Sequence, residues 1–180
     1  MVKKYAVAVV VFLALFLVAS MSYAASEELK NFLKEHNTIK ICIELKNSSE
    51  DDKVDIDRLK ELLEKGFASR RSHKFIIVAN PAESDIVLKG DVKEYMWTDT
   101  DPVDQVWGFG PAAMDAATSE HYARMQLQTE IVNAKNNRVL WSEKIQANMT
   151  KSIMPKDSSY ELVYNRFVKT ILIQIFKKRT

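Results

Sequence analysis

The strictest pattern in this 180-residue chain is an alternation of polar and apolar side chains that begins at His121. Every second residue from 123 to 131 is Ala, Met, Leu, Thr or Ile, and the residues between them are polar. Successive side chains of a strand point to opposite faces, so the pattern predicts a strand with one buried face. Asn133 to Asn137 predict a turn, because Asn tolerates left-handed backbone, and Val139 to Ala147 alternate again. The sequence therefore predicts a β-hairpin that buries one side.

The rest of the chain divides into helical and strand patterns by the period of its apolar residues. Short polar stretches and an Asn-Pro pair separate these segments. The predicted elements are a short helix over Ser26–Glu35, a strand over Thr38–Lys46, a helix from Asp55 to between Gly66 and Ser72, and strands over Phe75–Val78 and Asp85–Trp97.

The last predicted element is a helix preceded by Pro155 and Asp157. Ser158 and Glu161 have the spacing of a capping box, in which each side chain accepts a hydrogen bond from the other's backbone N–H. The apolar side of this helix is wider than one sheet needs, which leaves a lipid or partner surface open beside the core interpretation.

Together these elements predict an α+β fold. We expect a two-layer sandwich, in which one mixed sheet of about four to five strands carries two helices on one face. Residues 25–180 are expected to form a single domain with a long loop over residues 98–118.

The first 24 residues match a secretory signal peptide. Lys3 and Lys4 precede an apolar run from Ala6 to Ala19, and Ser22-Tyr23-Ala24 places small residues at a cleavage site before Ala25. The run is too short for a typical membrane-spanning helix, although an uncleaved anchor is the alternative interpretation. The single cysteine, Cys42, lies far downstream, so we expect no lipid anchor at the cleavage site.

Charge argues against nucleic acid as a partner. The whole chain has 26 basic and 24 acidic residues, and the predicted signal removes two lysines and no acid, which leaves a net charge of zero. Nucleic-acid binding depends on Lys and Arg that neutralise phosphates. Arg70, Arg71, His73 and Lys74 form a local basic patch, which a solvated helix end explains more simply.

No pattern of catalytic, cofactor-binding or metal-binding residues stands out. His36, His73 and His121 lack the spacing of metal ligands, and the four glycines form no phosphate-binding loop. The acidic stretch Asp99–Asp104 lacks the Gly and Glu of a calcium-binding loop. Cys42, flanked by isoleucines, is expected to be a packed thiol. We therefore predict no enzyme activity, no catalytic residue, no metal site, no cofactor and no nucleotide.

The loop after Trp97 is the segment in which we expect a function. It also contains Trp107, Phe109 and Met114, and aromatic side chains are uncommon in disordered segments. Two interpretations remain open. The aromatic residues fold back on the sheet as a structural lid, or they form a partner-binding surface.

Two segments resemble a group of bacterial envelope domains. Ala82–Val92 is similar to their strand of Ala-Asp, apolar residues and Gly, and Ile131–Ala134 followed by Arg138–Glu143 is similar to their hairpin. The group includes the N-terminal domain of TolB, the curli secretion protein CsgG and the LpoB activator, and the lipoprotein LptE has a related plan. Many of these relatives are lipoproteins, whereas this chain lacks the lipid-bearing cysteine.

The resemblance implies a periplasmic, non-enzymatic accessory protein that binds another envelope protein. The alternative is a protein that handles lipid or lipopolysaccharide, with an acyl chain enclosed by the last helix and the aromatic loop. Neither the partner nor the oligomeric state follows from the sequence.

Overall fold

The computed structural model of the chain describes residues 27–98, 121–151 and 154–176. The predicted signal and most of the predicted loop lie outside the described residues. The elements in chain order are α1 (27–35), β1 (Thr38–Asn47), α2 (Ile56–Ala68), β2 (Lys74–Ile77), a single 3-10 turn (Pro81–Glu83), β3 (Ile86–Thr98), β4 (His121–Asn133), β5 (Val139–Lys151) and α3 (Lys156–Phe176).

The five strands form one mixed sheet in the order β2-β1-β3-β4-β5. β1 is parallel to both of its neighbours, and β3, β4 and β5 form an antiparallel meander. The predicted class and strand number are confirmed. The predicted hairpin turn is also present, because Asn137 has a φ of 55° and donates its backbone N–H to the Asn133 carbonyl at 2.9 Å.

One face of the sheet and the three helices share a single hydrophobic core. The alternation predicted from sequence selects the strand residues that enter it. They include Ile39, Ile41, Ile43, Ile86, Leu88, Met125, Leu127, Ile131, Ile145 and Ala147.

The prediction of two helices against the sheet is wrong, because three helices pack there. α1 is predicted as a short helix, and it also buries Leu29 and Leu33 in the shared core. A helix of this length depends on tertiary packing for its stability, and its own sequence pattern does not show where it packs. A ring nitrogen of His73 lies 3.0 Å from the Leu33 carbonyl and connects α1 to the segment before β2.

α2 and α3 run parallel to each other. Near their starts, Arg58 binds Glu161 through two contacts of 3.0 and 2.6 Å. Near the end of α2, a Cβ on Gly66 would lie 2.8 Å from a methyl carbon of Leu172, so a larger residue there would require the Leu172 side chain to shift. None of the helices in the described ranges is long and apolar enough to span a membrane.

The predicted capping box of α3 is wrong. The helix begins at Lys156, one turn before Glu161, and the Ser158 hydroxyl donates to the Pro155 carbonyl at 2.9 Å. Glu161 binds Arg58 of α2. Interhelical pairing accounts for the difference, because a bidentate Arg–carboxylate contact is stronger than a neutral capping bond.

A β-bulge in β3 decides which face Trp97 occupies. The pairing with β4 shifts register between Val92 and Glu94. Because of this extra residue, Tyr95 and Trp97 pack against the core instead of following Lys89 and Asp91 to the other face.

Candidate functional site

The face of the sheet opposite the core has no helix on it within the described ranges, and we call it the uncovered face. The chain between β2 and β3 crosses one end of this face. There the Cys42 thiol lies 3.6 Å from the Ala79 carbonyl. Cys42 is buried as predicted, and burial is the main cause that raises the pKa of its thiol. A raised pKa keeps the sulfur protonated and unreactive.

Strand register arranges the charges of the uncovered face in two rows. In one row, Glu44 of β1, Lys89 of β3 and Glu130 of β4 lie side by side. In the next row, Lys46 of β1 and Asp91 of β3 are followed by Gln128 of β4. Opposite charges on adjacent strands stabilise each other modestly. The result is a surface of mixed charge with little net charge.

These two rows line a hollow of 370 Å³, which we call the charged hollow. Asp91 lines this hollow and is buried. One oxygen of Asp91 pairs with Lys93 and with Lys46, whose nitrogen lies 3.2 Å away, whereas the other oxygen, Oδ1, is buried with no hydrogen-bond partner.

The charge of Asp91 is maintained by its neighbours. Burial raises the pKa of its carboxyl, but hydrogen bonds from Lys93, Ser48 and Lys46 outweigh burial and lower the pKa below its usual value. Asp91 is therefore a carboxylate at neutral pH.

A second unpartnered polar atom lies on the same face. Arg124 of β4 forms an ion pair with Glu94 of β3, but its Nε is buried without a hydrogen-bond partner. A buried polar group without a partner costs roughly 1–3 kcal/mol. One acceptor and one donor on neighbouring strands are thus unsatisfied among the described residues.

A cluster of phenols lies at the other side of the sheet, where β3 approaches the start of α3. The rings of Tyr95 and Tyr160 stack with centroids 4.4 Å apart, and the Tyr95 hydroxyl bonds to that of Ser159. Tyr160 donates to the carboxylate of Asp51 at 2.9 Å. Burial is the first cause that raises the pKa of both tyrosines. The phenols therefore stay protonated and tie three segments together.

Tyr164 extends the same cluster. Its hydroxyl accepts the backbone N–H of Asp55, the N-cap of α2, at 2.8 Å. Burial is the main cause that raises the pKa of Tyr164 to about 12.

The described residues contain no group of three His, Cys, Asp or Glu side chains placed to hold a metal ion.

Of the four residues predicted to bind a partner, the structure describes one. Trp97 is half-buried, and its indole N–H donates to the Met154 carbonyl at 3.0 Å. Its ring stacks on His121 with centroids 5.8 Å apart. These contacts connect the end of β3 to the start of β4 and to the residues before α3. Trp107, Phe109 and Met114 lie outside the described residues, so the partner-binding role of this segment stays a prediction.

The charged hollow was not predicted. In each strand its residues match the polar half of an alternating pattern, which indicates only that they face solvent. Charges of opposite sign at alternate positions, as in Glu44 and Lys46 or Lys89 and Asp91, were the available signal. Their meaning depends on which strands pair and in which register.

Comparisons with known proteins find similarity only among solved structures. No family model and no curated protein matches the chain. A single-residue variant of the PelC dodecamer from Paraburkholderia phytofirmans aligns with this chain at a TM-score of 0.49 and 13% sequence identity. The alignment covers 79% of this chain and 91% of the PelC chain. Protein XCC0632 from Xanthomonas campestris has a TM-score of 0.49 at 15% identity, with coverages of 75% and 82%.

Lipoprotein GNA1162 from Neisseria meningitidis has a TM-score of 0.44 at 13% identity and covers 77% of this chain and 99% of its own. All three structures are of bacterial proteins, one of them described as a lipoprotein. Similarity at these TM-scores and identities carries no argument about fold family, activity or partners.

Proposed function

We propose that this chain is an exported protein of the bacterial cell envelope that binds another envelope protein through the uncovered face. The observation that carries the proposal is the charged hollow, in which side chains of both signs from three adjacent strands lie side by side. A partner surface of complementary charge can pair with the exposed members of these rows, such as Lys89.

The size of the uncovered face suits a protein partner. With a rise of about 3.3 Å per residue and a strand spacing of about 4.8 Å, the five strands span on the order of 800 Å², of which the segment between β2 and β3 covers one end. A standard protein–protein interface buries about 800 Å² on each side. The mixed charges of the face favour a partner whose own surface carries both signs.

Export is supported by the N-terminal sequence. A basic start, an apolar run and small residues before Ala25 together favour secretion. The resemblance of two segments to the TolB, CsgG and LpoB group favours an accessory role in the periplasm without enzyme activity.

The alternative, in which the last helix encloses an acyl chain, receives less support. Such a cavity needs the apolar side of α3 to be free. In the described residues Val163, Phe167 and Ile171 are fully buried against the sheet. We therefore favour a protein partner for the site on the sheet.

Site-specific photocrosslinking in the native host tests the proposal. A photoreactive residue at Lys89, which is exposed at the charged hollow, is expected to give a specific crosslinked product. The same residue at Asp57, exposed on the outer side of α2, is the matched control and is expected to give none. Equal products at both positions, or none at position 89, would refute binding through this face.

Charge reversal gives a second measurement on the same face. Lys89→Glu places a third acid beside Glu44 and Glu130 and is expected to abolish the product from a photoreactive residue at Gln128. Lys60→Glu on α2 should leave it unchanged. Mass spectrometry of the N-terminus tests export independently, with a first residue of Ala25 expected after processing.

A further inference from the structure

A second surface lies on the helix layer, where α2 ends beside α3. Residues 69–72 and one side of α3 from Asn165 to Ile173 line an open groove of 730 Å³, which we call the basic groove. Three of its lining residues are basic, namely Arg70, Arg71 and Lys169, and none is acidic. The groove and the charged hollow lie on opposite sides of the sheet.

The positive charges of the basic groove are not paired with acids. Within the described part of the chain, no carboxylate lies within ion-pair distance of Arg71 or Lys169. The Arg70 guanidinium lies over the ring of Phe176, 4.9 Å from its centroid, which leaves its charge intact. The charges are therefore available to a negatively charged ligand.

Helix dipoles do not cancel this positive charge. Because α2 and α3 run parallel, both of their C-terminal ends point toward this end of the molecule, and each contributes roughly −0.5 of a unit charge. The groove alone carries three positive side chains.

Apolar side chains accompany the basic ones. Val168 and Leu172 form part of the groove wall, and Ile173 beside them is 47% exposed, the most exposed large apolar side chain among the described residues. Basic side chains around an exposed apolar one are the combination by which peripheral proteins bind an anionic bilayer. The charges approach the headgroups, and the apolar side chain enters the acyl boundary.

We propose that the basic groove docks this protein on the surface of a bilayer that contains anionic phospholipid. The sheet side then faces away from the membrane, so the charged hollow stays accessible to a protein partner. Each basic residue near an anionic surface strengthens binding about five-fold. The three groove residues together give a preference on the order of 100-fold over a neutral bilayer.

Vesicle co-sedimentation tests the proposal with the protein purified from cells that express the full chain. Vesicles of phosphatidylcholine with about one third phosphatidylglycerol are compared with pure phosphatidylcholine. We expect binding to the anionic vesicles only, and we expect it to weaken as added salt screens the charges. Equal binding to both vesicles, or to neither, would overturn the proposal.

Two double variants test whether vesicle binding depends on the basic groove or on the net charge of the protein. The double variant Arg71→Glu, Lys169→Glu is expected to bind anionic vesicles at least about 25-fold more weakly. The charge-matched control is Lys40→Glu, Lys144→Glu, which reverses two exposed lysines of the uncovered face outside the charged hollow and should bind as well as the original protein. Comparable losses in both double variants would assign binding to net charge and overturn the proposal.

The apolar contact gives an independent measurement. Ile173→Ser is expected to weaken binding about 3- to 10-fold, since about half of this side chain is available for insertion. Val139→Ser, at a residue that is 41% exposed on β5, is the matched control and should have no effect. Unchanged binding of Ile173→Ser, or displacement of the protein from vesicles by inorganic phosphate alone, would contradict docking on a bilayer.

Discussion

Tyr164 is expected to make the stability of this protein depend on pH above 10. Burial is the main cause that raises the pKa of Tyr164 to about 12 in the folded chain, against 10.0 for an unperturbed tyrosine. Above pH 10 the unfolded chain loses this proton while the folded chain keeps it. The contribution of Tyr164 is therefore complete below pH 10 and is lost as the pH rises toward 12.

The magnitude follows from the two pKa values. Between pH 9 and pH 11 the free energy of unfolding is expected to fall by roughly 1 kcal/mol through Tyr164 alone. Tyr164→Phe removes this titration, but it also removes the acceptor of the Asp55 N–H, which costs about 1 kcal/mol at every pH. The variant should thus be about 1 kcal/mol less stable at pH 9 and about equal to the original protein at pH 11.

Urea denaturation followed by circular dichroism at both pH values measures this change. Tyr95 and Tyr160 are present in both proteins, so their titrations largely cancel in the difference. Val163→Ala truncates a fully buried residue of the same helix without a phenol and should cost about 1–2 kcal/mol at both pH values. If the gap between Tyr164→Phe and the original protein is the same at pH 9 and pH 11, the assigned pKa is wrong.

Three further predictions concern stability, each measured as the free energy of unfolding. Gly66→Val should cost about 1–3 kcal/mol because the added side chain would collide with α3. Its control, Ala68→Val at an exposed position of the same helix, should cost no more than about 0.7 kcal/mol. Equal losses in the two variants would refute the close helix contact. Trp97→Phe should cost about 1 kcal/mol through the lost bond to Met154, and an unchanged stability would show that this bond contributes nothing. Asn137→Ala should lower the free energy of unfolding by about 1 kcal/mol, whereas Asn137→Gly should not lower it. A larger loss for Asn137→Gly than for Asn137→Ala would argue against a left-handed backbone at this turn.

Local sequence patterns were sufficient to predict most of the elements. The alternation in β1, β4 and β5 reflects a strand with one face in a core, and this periodicity survives without knowledge of the partner strand. The predicted start of α2 at Asp55 is confirmed, because the Asp55 side chain accepts the Arg58 N–H at 2.8 Å. The class of the fold follows from the order of such elements.

Predictions that depend on a distant partner were less successful. Ser158 and Glu161 match a capping box by spacing alone, but Glu161 binds Arg58, which lies 103 residues earlier in the chain. The basic groove shows the same limit. Arg70 and Arg71 were visible as a basic patch, but the parallel packing of α2 and α3 was needed to bring Lys169 and Ile173 beside them.

The sequence by itself determined which segments become helices and strands and which side of each strand is apolar, because these properties depend on neighbours within a few residues. Only the tertiary structure decided the register of β1, β3 and β4, and so the placement of Glu44, Lys89 and Asp91 around one hollow. It also placed the bulge that turns Trp97 toward the core. Strand pairing and helix crossing are set by contacts between segments far apart in the chain, whose energies no local pattern contains.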